Sequence, residues 1–151
     1  VYGGATDMAL ACDFRVGSSA TEMFMPAARL GLHFYQAGLE RYVSRLGLDT
    51  AKRLFLTCEG LTAADMKSCG FLTHLADPAE LGATVEGLSS TLSSMAPLPL
   101  FGMKKHLNLI ARGIQDADAI ASDVARTVHS DDLREGGQAW KEKRKPVFKG
   151  R

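Results

Sequence analysis

Val1-Tyr2-Gly3-Gly4-Ala5-Thr6-Asp7-Met8-Ala9-Leu10-Ala11-Cys12-Asp13 opens the chain, and its reading decides the rest. A Gly-Gly turn runs straight into an apolar helical pattern that carries one acidic residue. A helix starting at such a turn points unpaired backbone N–H groups, and the positive end of its dipole, at whatever sits before it. Glycine there lets an oxygen of a bound molecule approach the backbone closely. The corner can hold a developing oxyanion, with Asp7 one turn along as acid or base. The plain alternative is a glycine turn capping a core helix, and Gly-Gly alone does not separate the two.

Outward from this corner, Asp13 to Gly17 alternates polar and apolar and predicts a short strand. Ser18 to Thr21 reads as a turn, and Glu22 to Met25 as a second strand stopped by Pro26. Ala27 to Gly38 is the least regular stretch, and long loops on a rigid scaffold are where sites lie. Leu39, Tyr42, Val43 and Leu46 then share one helix face, which Gly47 ends. Ala51, Leu54 and Phe55 predict a short amphipathic helix. Thr62-Ala63-Ala64-Asp65 has the spacing of a capping box, opening a helix that Gly70 closes. Phe71 to Leu75 is a candidate strand. Asp77-Pro78-Ala79-Glu80 combines N-cap, first-turn proline and acidic third position. Helical spacing follows to Pro97, then from Leu100 to Gly113, from Ala117 to Val128 and from Asp131 to Lys143. So few short strands cannot make a stable sheet alone. Strand–turn–strand signals feeding a helical tail therefore read as part of a larger fold, with residues 1–77 the α/β core portion and 78–151 a helical region.

Composition narrows the class. A chain of 151 residues, 46% apolar and 23% charged, can bury a real core. Its net charge of +1 gives no argument for a polyanionic partner of the whole chain. Cys12, Cys58 and Cys69 lack CxxC spacing and read as reduced intracellular thiols. No apolar run approaches the roughly 18 residues of a membrane span, and no basic-then-apolar leader is present. The reading is cytoplasmic, though the chain opens inside a motif and an organellar leader upstream stays open. His33, His74, His106 and His129 show no ligand spacing, so no metal site is expected.

Read together, these segments resemble the crotonase superfamily, the enoyl-CoA hydratase/isomerase family, in its C-terminal half. The matching stretches are Tyr2-Gly3-Gly4 through Arg15, Phe24-Met25-Pro26 through Leu32, Arg45-Leu46-Gly47, Thr62-Ala63, Gly70-Phe71-Leu72 and the tail from Ser130 to Phe148. Their order and spacing carry the resemblance. It implies an α/β fold, a spiral of ββα units, followed by a helical region used in trimer packing, as a homotrimer or hexamer. It also implies acyl-CoA thioesters as substrates, with no covalently bound cofactor, as in fatty acid metabolism. The thioester oxygen would sit between two backbone N–H groups, of which Gly4 supplies one. A donor of this kind is worth about 3 kcal/mol of transition-state stabilisation.

The sequence departs from the family pattern at both glutamate positions of its hydratases. Asp7 stands at the first, one methylene shorter. Ala27 stands at the second and cannot transfer a proton. Single-base chemistry, such as double-bond isomerisation, therefore fits better than two-carboxylate hydration. Ala27, Arg29, His33 and Tyr35 are substrate-pocket candidates, with Glu40 beyond them; the last four also read as surface charges or half-buried packing residues. Lys143 and Arg144, in the basic tail, are candidate CoA contacts; such runs are also commonly solvated ends. The competing reading is a non-catalytic crotonase-like protein that binds or scaffolds, with RNA or an acidic protein as partner of the tail.

Overall fold

A computed structural model describes residues Val1–Arg151, which form two compact units, Val1–Glu86 and Gly87–Arg151. In the first, α1 (Gly4–Ala11) follows Gly3, whose φ of 55° and ψ of −131° suit only glycine. Thr6, Asp7 and Leu10 form its buried face. β1 (Val16–Ser18) pairs in parallel with β4 (His74–Ala76), and β2 (Glu22–Phe24) pairs antiparallel with β3 (Gly60–Thr62). The other edge of β2 meets the chain start, where Gly3 N–H donates to the Phe24 carbonyl at 2.9 Å.

Two predicted strands are shorter than their alternation suggests, for one reason. Arg15 is a strap: its guanidinium donates to the carbonyls of Cys12 and Gly70, at 2.7 and 3.1 Å, and to that of Phe71. Its backbone N–H donates to Thr73 Oγ1 at 2.8 Å. Ladder pairing begins only at Val16 and His74, while Phe71 and Leu72 are buried in the core.

A single 3-10 turn, Ala28–Leu30, interrupts the irregular stretch before α2 (Gln36–Leu46). Tyr42 and Leu46 point into the core, whereas Val43, predicted on the same face, is 43% exposed. The helix expected around Ala51 is α3 (Leu48–Lys52), which widens into a π turn over Arg53–Thr57. α4 (Ala63–Ser68) starts with the capping box that the Thr62–Asp65 spacing predicts: each side chain bonds the other's backbone N–H. Leu10, Met23, Tyr42, Leu54, Met66 and Phe71 are almost fully buried at the centre of this unit.

A 3-10 turn, Pro78–Glu80, precedes α5 (Leu81–Ser93), and Asp77 makes no side-chain cap bond there. The backbone instead closes the turn, Glu80 N–H to Asp77 O at 2.9 Å. The second unit contains α6 (Pro97–Ala111), α7 (Ala117–Val128) and α8 (Asp131–Glu142). Asp123 on α7 binds Lys105 and His106 of α6 at 2.5 and 2.8 Å. Past α8 the chain folds back: the backbone N–H groups of Lys149 and Gly150 donate to Asp132 at 2.7 and 2.8 Å. Asp132 is 2% exposed, so these two donors satisfy a buried carboxylate. No helix is long and apolar enough to cross a membrane.

Glu135 on α8 receives Arg144 at 2.5 and 2.9 Å and the Val147 N–H at 2.9 Å. Chiefly the Arg144 guanidinium holds its carboxyl down at about 2, from an ordinary 4.5. The folded pKa lies below the unfolded one, so the stabilisation is complete above 4.5 and lost as pH falls through about 2. Arg144→Gln is expected to flatten the stability–pH curve between those limits, measured by urea unfolding at stepped pH. An unchanged slope would count against this pair as a source of acid sensitivity.

Candidate active site

At the start of α1 the backbone donors are divided unevenly. Gly3 N–H bonds Phe24 O, Ala5 N–H bonds Tyr2 O, and Thr6 N–H bonds Gly3 O. Gly4, the first helical residue, has no carbonyl one turn back within the helix to receive its N–H. A side-chain relay fixes this corner from behind. Thr6 Oγ1 donates to Gly3 O at 2.6 Å, which leaves Tyr42 of α2 as the donor to Thr6. Burial pushes the Tyr42 phenol up to about 12, so it stays protonated and the relay keeps its direction.

Asp7 follows directly and is 4% exposed. A carboxylate so buried needs a counter-charge and hydrogen bonds. Arg41 of α2 supplies the first, its Nη1 lying 2.5 Å from both Asp7 oxygens. Tyr35, at the N-cap of α2, donates its hydroxyl to Oδ2. The bond to Asp7 raises the Tyr35 phenol above its ordinary value, and the same carboxylate raises Arg41. Tyr35 is 54% exposed, so the phenol faces outward while its oxygen touches a buried acid.

Tyr35 owes its position to apolar packing. Its ring stacks on Phe34 with centroids 4.5 Å apart, and Phe34 is wedged against Tyr42 and Phe55. Gly38 makes this fit: a Cβ there would lie 2.3 Å from a Phe34 ring carbon. The arrangement can therefore take up and return a proton beside an unpaired backbone N–H.

Of the residues singled out in the sequence, Gly4, Asp7 and Tyr35 come together. Ala27 is 5% exposed and joins the core. Arg29 is exposed and lies over the Phe24 ring, 5.2 Å from its centroid. His33 is exposed and shares Nδ1 with the Phe34 carbonyl at 2.7 Å. Glu40 accepts from Gln36 at 2.7 Å on the outer side of α2. Lys143 and Arg144 belong to the second unit. Lys143 caps α8 in the left-handed region, and Arg144 is engaged with Glu135 and Glu142. No group of three His, Cys, Asp or Glu side chains is placed to hold a metal ion.

The sequence reading places Tyr42 on the apolar face of its helix without a role at the site, and does not single out Arg41. Arg41 is one of several charges on an amphipathic helix, and only a buried acid in need of a cation points to it. Arg41→Met leaves that acid uncompensated and is expected to destabilise the protein by about 3 kcal/mol. Asp7→Asn on top of it should cost less than the two separate losses summed, read from urea midpoints in a double-mutant cycle. Strict additivity would show the pair to be uncoupled.

Comparison with known proteins places the chain in a family. The family model for enoyl-CoA hydratase/isomerase matches residues 1–151. The chain is 30% identical over 155 residues to the enoyl-CoA isomerase/hydratase fer4 of Mycosarcoma maydis, covering 99% of this chain and 56% of fer4. It is 28% identical over 158 residues to the methylmalonyl-CoA decarboxylase of Escherichia coli, covering 99% and 59%. The crystal structure of the enoyl-CoA hydratase from Bacillus anthracis superposes with a TM-score of 0.90 at 26% identity, covering 100% of this chain and 59% of that one. The chain thus spans somewhat over half the length of the relatives it matches. By the match along its whole length, and by a mixed α/β core with a helical region that such structures share, the chain belongs to the enoyl-CoA hydratase/isomerase family.

Proposed function

We propose that the whole protein is an acyl-CoA enzyme that stabilises a thioester enolate, with Gly4 N–H as one oxyanion donor and Asp7 as its acid/base. The observation that carries this reading is the buried Asp7 carboxylate one helical turn from the unpaired Gly4 N–H. Thr6 and Tyr42 hold the turn rigid, so the donor is preorganised for charge that develops only during reaction.

Ala27 offers no proton-transfer group, which favours a one-base proton shift over two-carboxylate hydration. In a 3-enoyl thioester, Asp7 takes a proton from the α-carbon and the electron pair spreads onto the thioester oxygen. Return of a proton to the γ-carbon restores neutrality and leaves the 2-enoyl product. Carboxylate and arginine begin and end the cycle paired.

The helical unit supports an oligomer of the family's kind, which we propose to be a trimer or its dimer. Phe101, Leu107 and Ile110 of α6 and Trp140 of α8 are all more than half exposed. Light scattering on the whole protein should give a multiple of three chains; a monomer at micromolar concentration would remove this part.

Two substitutions test the chemistry on 3-enoyl- and 2-enoyl-CoA substrates. Asp7→Asn should lower kcat by roughly 10²- to 10⁴-fold. Gly4→Ala places a Cβ where nothing lies within 4 Å, so the fold should be kept. That methyl would shield the N–H, and kcat should fall about 10²-fold with unfolding unchanged. Wild-type turnover in both variants would overturn the reading.

A further inference from the structure

The acid/base of this site has a second proton carrier in direct contact with it. We propose that Tyr35 is a catalytic residue that delivers the returning proton, so that Asp7 and Tyr35 act as a two-member relay; this rests on the reading of Asp7 given above. Tyr35 donates its hydroxyl to Asp7 Oδ2, and Arg41 lies against the carboxylate and the phenol alike. Asp7 is 4% exposed and anchored on both oxygens, so it cannot swing between two carbons of a substrate. Tyr35 is 54% exposed, rigidly stacked on Phe34, and presents its oxygen at the rim of that buried acid.

The step balances within the site. Asp7 takes the α-proton on one oxygen, forming an O–H bond as the C–H bond breaks. Tyr35 gives its hydroxyl proton to the γ-carbon of the dienolate and becomes a phenolate beside Arg41. The proton on Asp7 then passes along the existing hydrogen bond to the phenolate oxygen. Carboxylate and phenol are both restored and no co-reactant is consumed; the one negative charge moves from Asp7 to the dienolate oxygen at the Gly4 N–H, then to the Tyr35 phenolate beside Arg41, and back to Asp7. The proton delivered is therefore not the proton removed. The bond between the two side chains replaces the movement that a lone acid/base needs.

The test follows deuterium during turnover of 3-hexenoyl-CoA in D2O by the whole protein. The exposed Tyr35 hydroxyl exchanges with solvent beforehand, so the parent product should carry deuterium at C4 from the first turnover. Tyr35→Phe keeps the ring stack and removes only the hydroxyl; kcat should fall 10- to 100-fold, and early product should retain the substrate's own hydrogen at C4. An unchanged rate and label in Tyr35→Phe, with Asp7→Asn inactive, overturns the relay and leaves Asp7 as the acid/base. Full activity of Asp7→Asn, or a parent that neither isomerises nor exchanges hydrogen, overturns the Asp7 reading and the relay with it.

Discussion

A carboxylate sealed from water is a liability until something compensates its charge, and Asp7 is sealed. Arg41 provides that compensation from thirty-four residues further along, contacting both oxygens. The pair ties α1 to α2, because neither helix could turn about its axis without stranding a charge. Tyr42, next to Arg41, reaches Thr6, next to Asp7. Consecutive helical residues point about 100° apart, so two such neighbours bracket the partner helix rather than touch it along one line. The glycine turn at Gly3 and Gly4 is built on this clamp.

Apolar packing then sets the polar geometry. Phe34 fills the gap left by Gly38 and meets Tyr42 and Phe55 in tilted and edge contacts, each within the range of favourable aromatic pairs. Tyr35 lies on top of that stack and cannot wander, so its hydroxyl is presented to Asp7 at little cost in side-chain entropy. A missing Cβ on α2 thus governs where a phenol oxygen sits on the far side of a ring. Close-packed interiors transmit such constraints without slack.

The helical unit spends its charges internally. Asp123 gathers Lys105, His106 and Arg126, and Asp132 accepts two backbone donors from the final turn of chain. The basic tail, whose lysines are exposed to solvent, is nonetheless docked through its backbone. Every residue except proline carries the same backbone donor, so charge patterning carries no sign of it. Arg144 shows the same limit: its charge is visible in sequence, its fork onto Glu135 is not.

Local rules were legible wherever the deciding atoms lie within a turn of one another. The capping box at Thr62 and Asp65, the glycine corner before α1, the stop at Gly47 and the periodicity of the later helices all belong to this kind. So did Gly4 and Asp7 as neighbours on one helix turn, because helical geometry alone places them. The strand limits were not legible: Arg15 binds carbonyls more than fifty residues away and delays the ladder. Nor were Arg41 as the counter-ion and Tyr35 as the acid's donor. A sequence by itself determines which side chains can ionise and which share a helix face. Only the tertiary structure decides which acid loses its water, and hence which distant cation and hydroxyl must come to it, because desolvation is a property of the packed whole.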